Sequence, residues 1–246
     1  GEVPDSVNRY SIEFIRGLYD YGMLATAKHF PGHGDTETDS HSSLAQIPSD
    51  SVRLWNVELP PFQKAIDAGV DAVMVAHVNS PDYQDHAQDP ASLSSFWLQD
   101  ILREKMNFDG VIITDAMRMG GIVKNYSDEY ALLETVKAGS DIIIQNQNLK
   151  KSIDIIEKAV LNGILSESRI NESALKVLKM KEKVGLHLNK TISIDYTHRA
   201  MGKAANFKMA REIAKKAITI VKNEGGILPL QPSLNEKLYV VDLYDG

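Results

Sequence analysis

Four short apolar runs, each with a glycine shortly ahead of it, set the limits on what this chain can fold into. They are Met23–Ala27 after Gly22, Ala72–Ala76 after Gly69, Val111–Thr114 after Gly110, and Ile142–Ile144 after Gly139. Two of them share a lead-in, Ala68-Gly69-Val70-Asp71 and Ala138-Gly139-Ser140-Asp141. Continuous apolar runs of this length, rich in Val and Ile, predict strands buried on both faces, because a half-exposed strand would alternate with polar residues. The glycines fit the left-handed position that closes a preceding helix.

Helical patterns fill the gaps. Residues 7–20 carry Val7, Ile12, Phe14, Ile15 and Leu18 at near-helical spacing, and Pro60-Pro61 opens a helix running to Ala68. Ser92–Met106, Ser127–Ala138 and Leu149–Asn162 follow in the same manner. Strand and helix alternating about every 30–45 residues mean βα units and a parallel sheet, hence an α/β fold. Right-handed crossovers leave a doubly wound sheet or a barrel. After residue 146 the pattern changes. Residues 148–185 and 199–223 are amphipathic and rich in Lys and Glu, residues 225–230 read as a turn, and Lys237–Leu243 reads as a new strand.

Composition removes several function classes. With 246 residues, 43% of them hydrophobic, the chain has material for a sizeable core. Its net charge of -6 gives no basic footprint for nucleic acid and no polybasic membrane patch. No apolar run approaches the roughly 20 residues of a membrane span. There is no cysteine, so disulfides, thiolate metal sites and a cysteine nucleophile are excluded. The opening Gly1-Glu2-Val3-Pro4 lacks a signal peptide's basic and apolar regions, and Val240–Gly246 reads as a strand broken off at a turn. Both ends look like cuts through a longer protein, so a missing targeting signal is uninformative.

Lys28-His29-Phe30-Pro31-Gly32-His33-Gly34-Asp35-Thr36-Glu37-Thr38-Asp39-Ser40-His41 stands apart from the rest. These residues hold three of the seven histidines, two aspartates and two glycines, with almost no apolar content, so they are expected as a loop after the first strand and outside the core. In parallel α/β folds the loops at the carboxyl ends of the strands carry the site. Asp115 closes Gly110–Thr114 at such a tip, and His77 closes Val73–Ala76 at the next. Each has a plainer alternative. Asp115 can cap the following helix, and for His77 a satisfied structural histidine is favoured over a chemical one. A metal reading from His29, His33, Asp35, Asp39 and His41 is a lesser alternative, because their spacing matches no compact zinc motif. Gly32 and Gly34 lack the P-loop pattern.

The Lys28–Thr36 segment with Asp39-Ser40-His41 closely resembles the signature loop of glycoside hydrolase family 3, in its β-N-acetylhexosaminidase branch. The resemblance continues through Glu58-Leu59-Pro60-Pro61-Phe62, Ala76-His77, Pro90-Ala91-Ser92-Leu93-Ser94, Gly110–Met117 and Ala138–Asp141, covering nearly all of residues 1–186. It implies a (β/α)8 TIM barrel of which this chain holds the C-terminal half, four of eight units. The expected organisation is a partial catalytic domain over 1–186, a linker and helix over 187–226, and the start of a truncated C-terminal α/β domain over 227–246. It implies Asp115 as the nucleophile of a retaining exo-β-N-acetylglucosaminidase and His41, paired with Asp39, as acid/base. Lys28 and His29 then bind the terminal sugar, and His77 is grouped with them as a third candidate. Peptidoglycan fragments are the substrates suggested by the branch's bacterial members, and no cofactor and no metal are expected.

Chemistry agrees with that assignment. A retaining glycosidase needs a carboxylate on one side of the anomeric carbon and a proton donor on the other. An imidazole titrates near neutrality, so His41 can donate to the leaving oxygen and later deprotonate water, with Asp39 orienting its ring. Gly32 and Gly34 are expected as flexible points for a closing loop. The expected partners are an N-acetylglucosamine-containing glycan and the missing half of the barrel, without which the chain is expected to be inactive and to self-associate. A β-glucosidase, a phosphorylase using phosphate as acceptor, and a non-catalytic carbohydrate-binding fragment are the alternatives. The stretch after residue 226 resembles the longer, often exported members of the family.

Overall fold

The computed structural model describes residues 3–40, 42–48, 50–81, 89–226 and 228–231. Two compact units are present, Gly1–Asn189 and Lys190–Gly246. In the first, helix α1 (Pro4–Tyr19) leads into strand β1 (Thr26–Phe30). A short helix α2 (Ser51–Arg53) widens into a π-helical turn, Leu54–Glu58, and runs on into α3 (Pro60–Asp67) and strand β3 (Ala72–Val75). A π-helix at Phe96–Lys105 precedes strand β5 (Val111–Thr114). Then come α4 (Gly120–Val123), α5 (Asp128–Ala138), α6 (Leu149–Leu161) and α7 (Glu167–Lys183). The sheet has the order β1-β3-β5, all parallel, and Ile142 adds one parallel bridge to Ile113 beyond β5. This is the α/β fold expected from the alternating pattern.

Strand β5 coincides with its apolar run, and β3 ends one residue short of its own. Strand β1 lies three residues later than the run Met23–Ala27 suggests. Met23 belongs instead to the turn after α1, where its amide donates to the Leu18 carbonyl. What fixes the strand is Phe30, fully buried edge-on against Phe62 at 5.3 Å and Trp97 at 6.0 Å. A segment that looked free of core residues thus delivers one of the largest core side chains, and Lys28 and His29 lie within the strand. Its pairing with β3 is regular at Thr26 and Ala27 and shifts before Phe30. The irregularity falls on Lys28 and His29, in keeping with the way bulges re-aim side chains near sites. A second parallel pair, β2 (Ala45–Gln46) with β4 (Val78–Asn79), extends the layer beyond the loop and was not legible in the sequence.

The shared Ala-Gly-x-Asp lead-ins have one structural meaning. Gly69 and Gly139 take φ of 81° and 118°, the left-handed turn that ends α3 and α5. The aspartate that follows then accepts a neighbouring strand's amide: Asp71 from Ala25 at 2.9 Å, Asp141 from Ile112 at 2.9 Å. Each carboxylate also meets α7. Lys183 pairs with Asp71, while Arg169 bonds Asp141 at 3.2 Å and Ser173 bonds it at 2.7 Å. Arg103, from the π-helix, completes the shell at 2.9 Å and also caps the Phe108 and Gly110 carbonyls. Gly110 closes no helix. A Cβ there would sit 2.5 Å from the Asp71 carbonyl, so the position serves close approach of β3 and β5.

In the second unit, α8 (Ile194–Ala200) and α9 (Ala204–Ala217) replace the single long helix expected over 199–223. They part at Met201-Gly202, where Gly202 takes φ of 70°. The strand expected at Lys237–Leu243 lies outside the described residues. No helix among the described residues is long and apolar enough to cross a membrane.

Candidate active site

Asp115 follows β5 directly, and its backbone is held from both sides of the sheet. Its amide donates to the Val75 carbonyl at 2.9 Å, and two residues on the Met117 amide donates to Ile144 at 3.1 Å. The carboxylate accepts from the Ala116 amide at 2.7 Å through Oδ1. Its Oδ2 lies 3.7 Å from His29 Nε2, an ionic distance beyond hydrogen-bond reach. The two side chains are 16% and 30% exposed, so both remain open to a ligand. His29 also stands edge-on to His33, ring centres 6.0 Å apart. Strand β1 therefore brings one histidine onto the carboxylate of β5 across the intervening β3.

Beside β1 lies a cavity of about 600 Å3 lined by Lys28, His29, Gly32, His33 and Glu58 together with apolar residues of α1 and α3. Asp115 does not line it. His29 belongs to the cavity and to the contact with Asp115, so it joins the two. Lys28 is exposed on the strand and lines the cavity.

The loop after β1 is braced along its length. His33 bonds Thr36 Oγ1 at 2.8 Å through Nδ1 and Ser40 Oγ at 2.7 Å through Nε2. Arg53 pairs with Asp35 at 2.7 Å and Glu58 at 3.2 Å. Gly32, read from the sequence as a flexible point, has a different reason to be glycine. Its φ is 143°, and a Cβ would lie 2.8 Å from the Glu58 carboxylate, so the loop rests directly on that side chain. Further along, the Asp39 carbonyl accepts from the Ser42 and Ser43 amides. The Ser40 carbonyl accepts from Gly121 at 3.3 Å, and the Ser42 carbonyl accepts from Lys124 Nζ at 2.7 Å. These last two donors belong to α4 or its end, just beyond Asp115. The loop that carries Asp39 is thus fastened to the segment that carries Asp115. His41 lies outside the described residues.

His77 takes a different place from the one its strand-tip position suggested. The ring is fully buried. Nδ1 lies 2.7 Å from Ser92 Oγ, and Nε2 lies 3.1 Å from the Ala116 carbonyl. Burial pushes its pKa down from the ordinary 6.5, with the Asp115 charge opposing. The ring reaches the site through backbone and not through an open face. Among the described residues no group of three or more His, Asp or Glu side chains could hold a metal ion.

Sequence reasoning brought forward Asp115 and His29, which lie 3.7 Å apart, and Lys28, which lines the cavity with His29. It missed Ser92, Gly121, Lys124 and Arg53, which act on the site through backbone or through its loop. Only the Pro90–Ser94 segment, noted for its resemblance, signalled any of them.

Comparison with known proteins agrees with this geometry. Residues 1–180 match the profile of the glycosyl hydrolase family 3 N terminal domain. A β-N-acetylglucosaminidase/β-glucosidase of Cellulomonas fimi is 29% identical over 243 residues, 95% of this chain and 43% of its own length. A β-hexosaminidase of Stenotrophomonas maltophilia is 38% identical over 196 residues, 72% of this chain and 58% of its own. The structure of a glycoside hydrolase family 3 β-N-acetylglucosaminidase from Paenibacillus sp. FPU-7 superposes with a TM-score of 0.80 at 36% identity, covering 89% of this chain and 42% of that one. The chain therefore spans less than half of two of these proteins and little more than half of the third.

Proposed function

The chain belongs to glycosyl hydrolase family 3, and from that premise we propose that it carries the reactive half of a retaining exo-β-N-acetylglucosaminidase. The observation that carries the reading is the position of Asp115. It is a partly open carboxylate at the carboxyl end of a buried parallel strand, its backbone fixed by two neighbours and its second oxygen facing His29. Asp115 attacks the anomeric carbon of the terminal sugar while His41 protonates the departing oxygen. Water then takes the aglycone's place, gives its proton to His41 and releases Asp115. Asp39 holds the His41 ring, and Lys28 and His29 bind the sugar from β1. The β-N-acetylglucosaminidase and β-hexosaminidase names of the relatives support N-acetylhexosamine as the sugar, with peptidoglycan fragments among its sources.

Residues 1–186 supply, on this reading, the C-terminal half of a (β/α)8 barrel. A stretch bearing the other four units completes the sugar pocket, and residues 187–226 link onward to a further α/β domain. Mass spectrometry of the full-length protein carrying this chain, after incubation with a slow fluorinated N-acetylglucosaminide, tests the assignment. A sugar adduct on the peptide containing Asp115, absent in Asp115→Asn, is expected; an adduct on any other residue sinks it.

A further inference from the structure

Ala116 has a carbonyl that can only accept, and His77 Nε2 lies 3.1 Å from it. The ring must therefore carry its proton on Nε2. Nδ1 is then an acceptor, and its neighbour, Ser92 Oγ at 2.7 Å, must be the donor. Ser92 is itself fully buried, and its carbonyl accepts from Thr135 Oγ1 at 2.8 Å, which also reaches Ser140 Oγ at 3.1 Å. The accept-only Ala116 carbonyl thus selects the tautomer, and buried Ser92, itself bonded through its carbonyl by Thr135, satisfies the other nitrogen. On the other side of the same Cα, in the preceding peptide unit, the Ala116 amide donates to Asp115 Oδ1 at 2.7 Å. The residue whose carbonyl is gripped by His77 is the residue whose N–H aims the carboxylate. The neighbouring backbone bonds, Asp115 to Val75 and Met117 to Ile144, fix the ends of this segment, and the Ala116 carbonyl accepts from the Met119 amide at 3.0 Å as well as from His77.

We propose that His77 is a positioning residue: through the Ala116 carbonyl it sets the orientation of the Asp115 carboxylate, and the Ser92 hydroxyl satisfies Nδ1 and holds the ring in place. The inference rests on the reading of Asp115 as nucleophile for its catalytic consequence, but not for its geometry. It replaces direct sugar binding as the role of His77. A buried ring with both nitrogens committed has nothing to offer a ligand, whereas a carboxylate that must meet an anomeric carbon within a narrow angle benefits from a fixed backbone.

The test has two arms. In the first, the Ala116 amide is followed by NMR in the full-length protein without substrate, where no turnover is needed. Held against a carboxylate, its proton is expected at low field and protected from exchange. His77→Leu is expected to move it upfield and speed exchange by at least about tenfold, while His77→Gln, which keeps a donor near the Nε2 place, restores most of both. Ser92→Ala, which leaves the imidazole but removes the donor to Nδ1, gives an intermediate shift and serves if His77→Leu does not fold. In the second arm, the same variants of the full-length protein are assayed on an aryl N-acetylglucosaminide. His77→Leu is expected to lower kcat about 10- to 100-fold with KM nearly unchanged, and His77→Gln to recover much of it. An Ala116 amide unmoved in a folded His77→Leu or Ser92→Ala chain overturns the inference, as does a change confined to KM. If the amide responds but no adduct forms on Asp115, the nucleophile reading is the one that fails.

Discussion

Two histidines of this site differ in what surrounds them, and the difference fixes what each can do. His29 is partly open and 3.7 Å from Asp115. His77 is sealed in the core with both nitrogens used, and desolvation holds its pKa below the ordinary value. A lowered histidine pKa means that the unfolded chain binds a proton which the folded chain refuses. The stability tied to His77 is therefore complete above pH about 6.5 and is lost as pH falls from there through its folded pKa. Urea midpoints measured between pH 7.5 and 5 are expected to fall more steeply for the wild type than for His77→Gln, in which nothing titrates at that position. Equal slopes would mean that the ring does not stay neutral. The sequence placed Asp115, His77 and His29 near strand tips because glycine and apolar runs mark where strands end. It favoured a satisfied structural histidine at position 77, but it could not tell which groups would satisfy the ring, since a buried strand offers no alternation to read. His41 was reached by resemblance alone.

Among the elements, α7 and α4 do the fastening. Asp141 is fully buried between Arg103 and Arg169, with Ser173 and the Ile112 amide filling its remaining acceptor sites. Removing one partner of such a cluster leaves buried charge uncompensated. Asp141→Ala is expected to cost about 3–5 kcal/mol, read as a shift in the urea midpoint, and a loss under 1 kcal/mol would reduce the cluster to a surface ion pair. The repeated Ala-Gly-x-Asp was visible as a pattern, but its purpose needs the partner helix, which lies 28 residues or more along the chain. At α4, a Cβ on Gly121 would approach the Ser43 carbonyl to 3.2 Å and the Ser40 carbonyl to 3.4 Å. Gly121→Ala and Lys124→Met are both expected to release the Ser40–Ser43 stretch, seen as faster amide exchange at Ser42 and Ser43. The full-length protein should lose kcat about tenfold in either variant. Unchanged exchange in both would show that α4 does not hold the loop. Helix boundaries were legible where a cap announces them at Ser127 and Asn148, while the cap at Ser166 went unread inside the stretch 148–185. Long-range straps of this kind, which join residues about 80 apart, leave no mark in a local window.

On the scale of the molecule, the described sheet has β1 at one edge, with Tyr10 and Phe14 of α1 each more than 70% exposed beside it. An unpaired parallel edge next to exposed aromatic groups invites pairing with another copy. The 246-residue chain is expected to self-associate at micromolar concentration in light scattering and to leave an aryl N-acetylglucosaminide intact. A monomer, or measurable hydrolysis, would show that these residues need nothing further. The two ends of the strands are also built for separate duties. Asp71 and Asp141, tied to α7, lie at the amino ends of β3 and of the Ile142 segment, while Asp115 and the peptide that His77 grips lie at the carboxyl ends. Substitutions in the loop after β1 therefore need not touch the clamps that keep the strands in register. The reactive face can be rewritten for another sugar or another acceptor while the opposite face goes on specifying the same scaffold, a partition that makes this chain a suitable starting point for directed evolution.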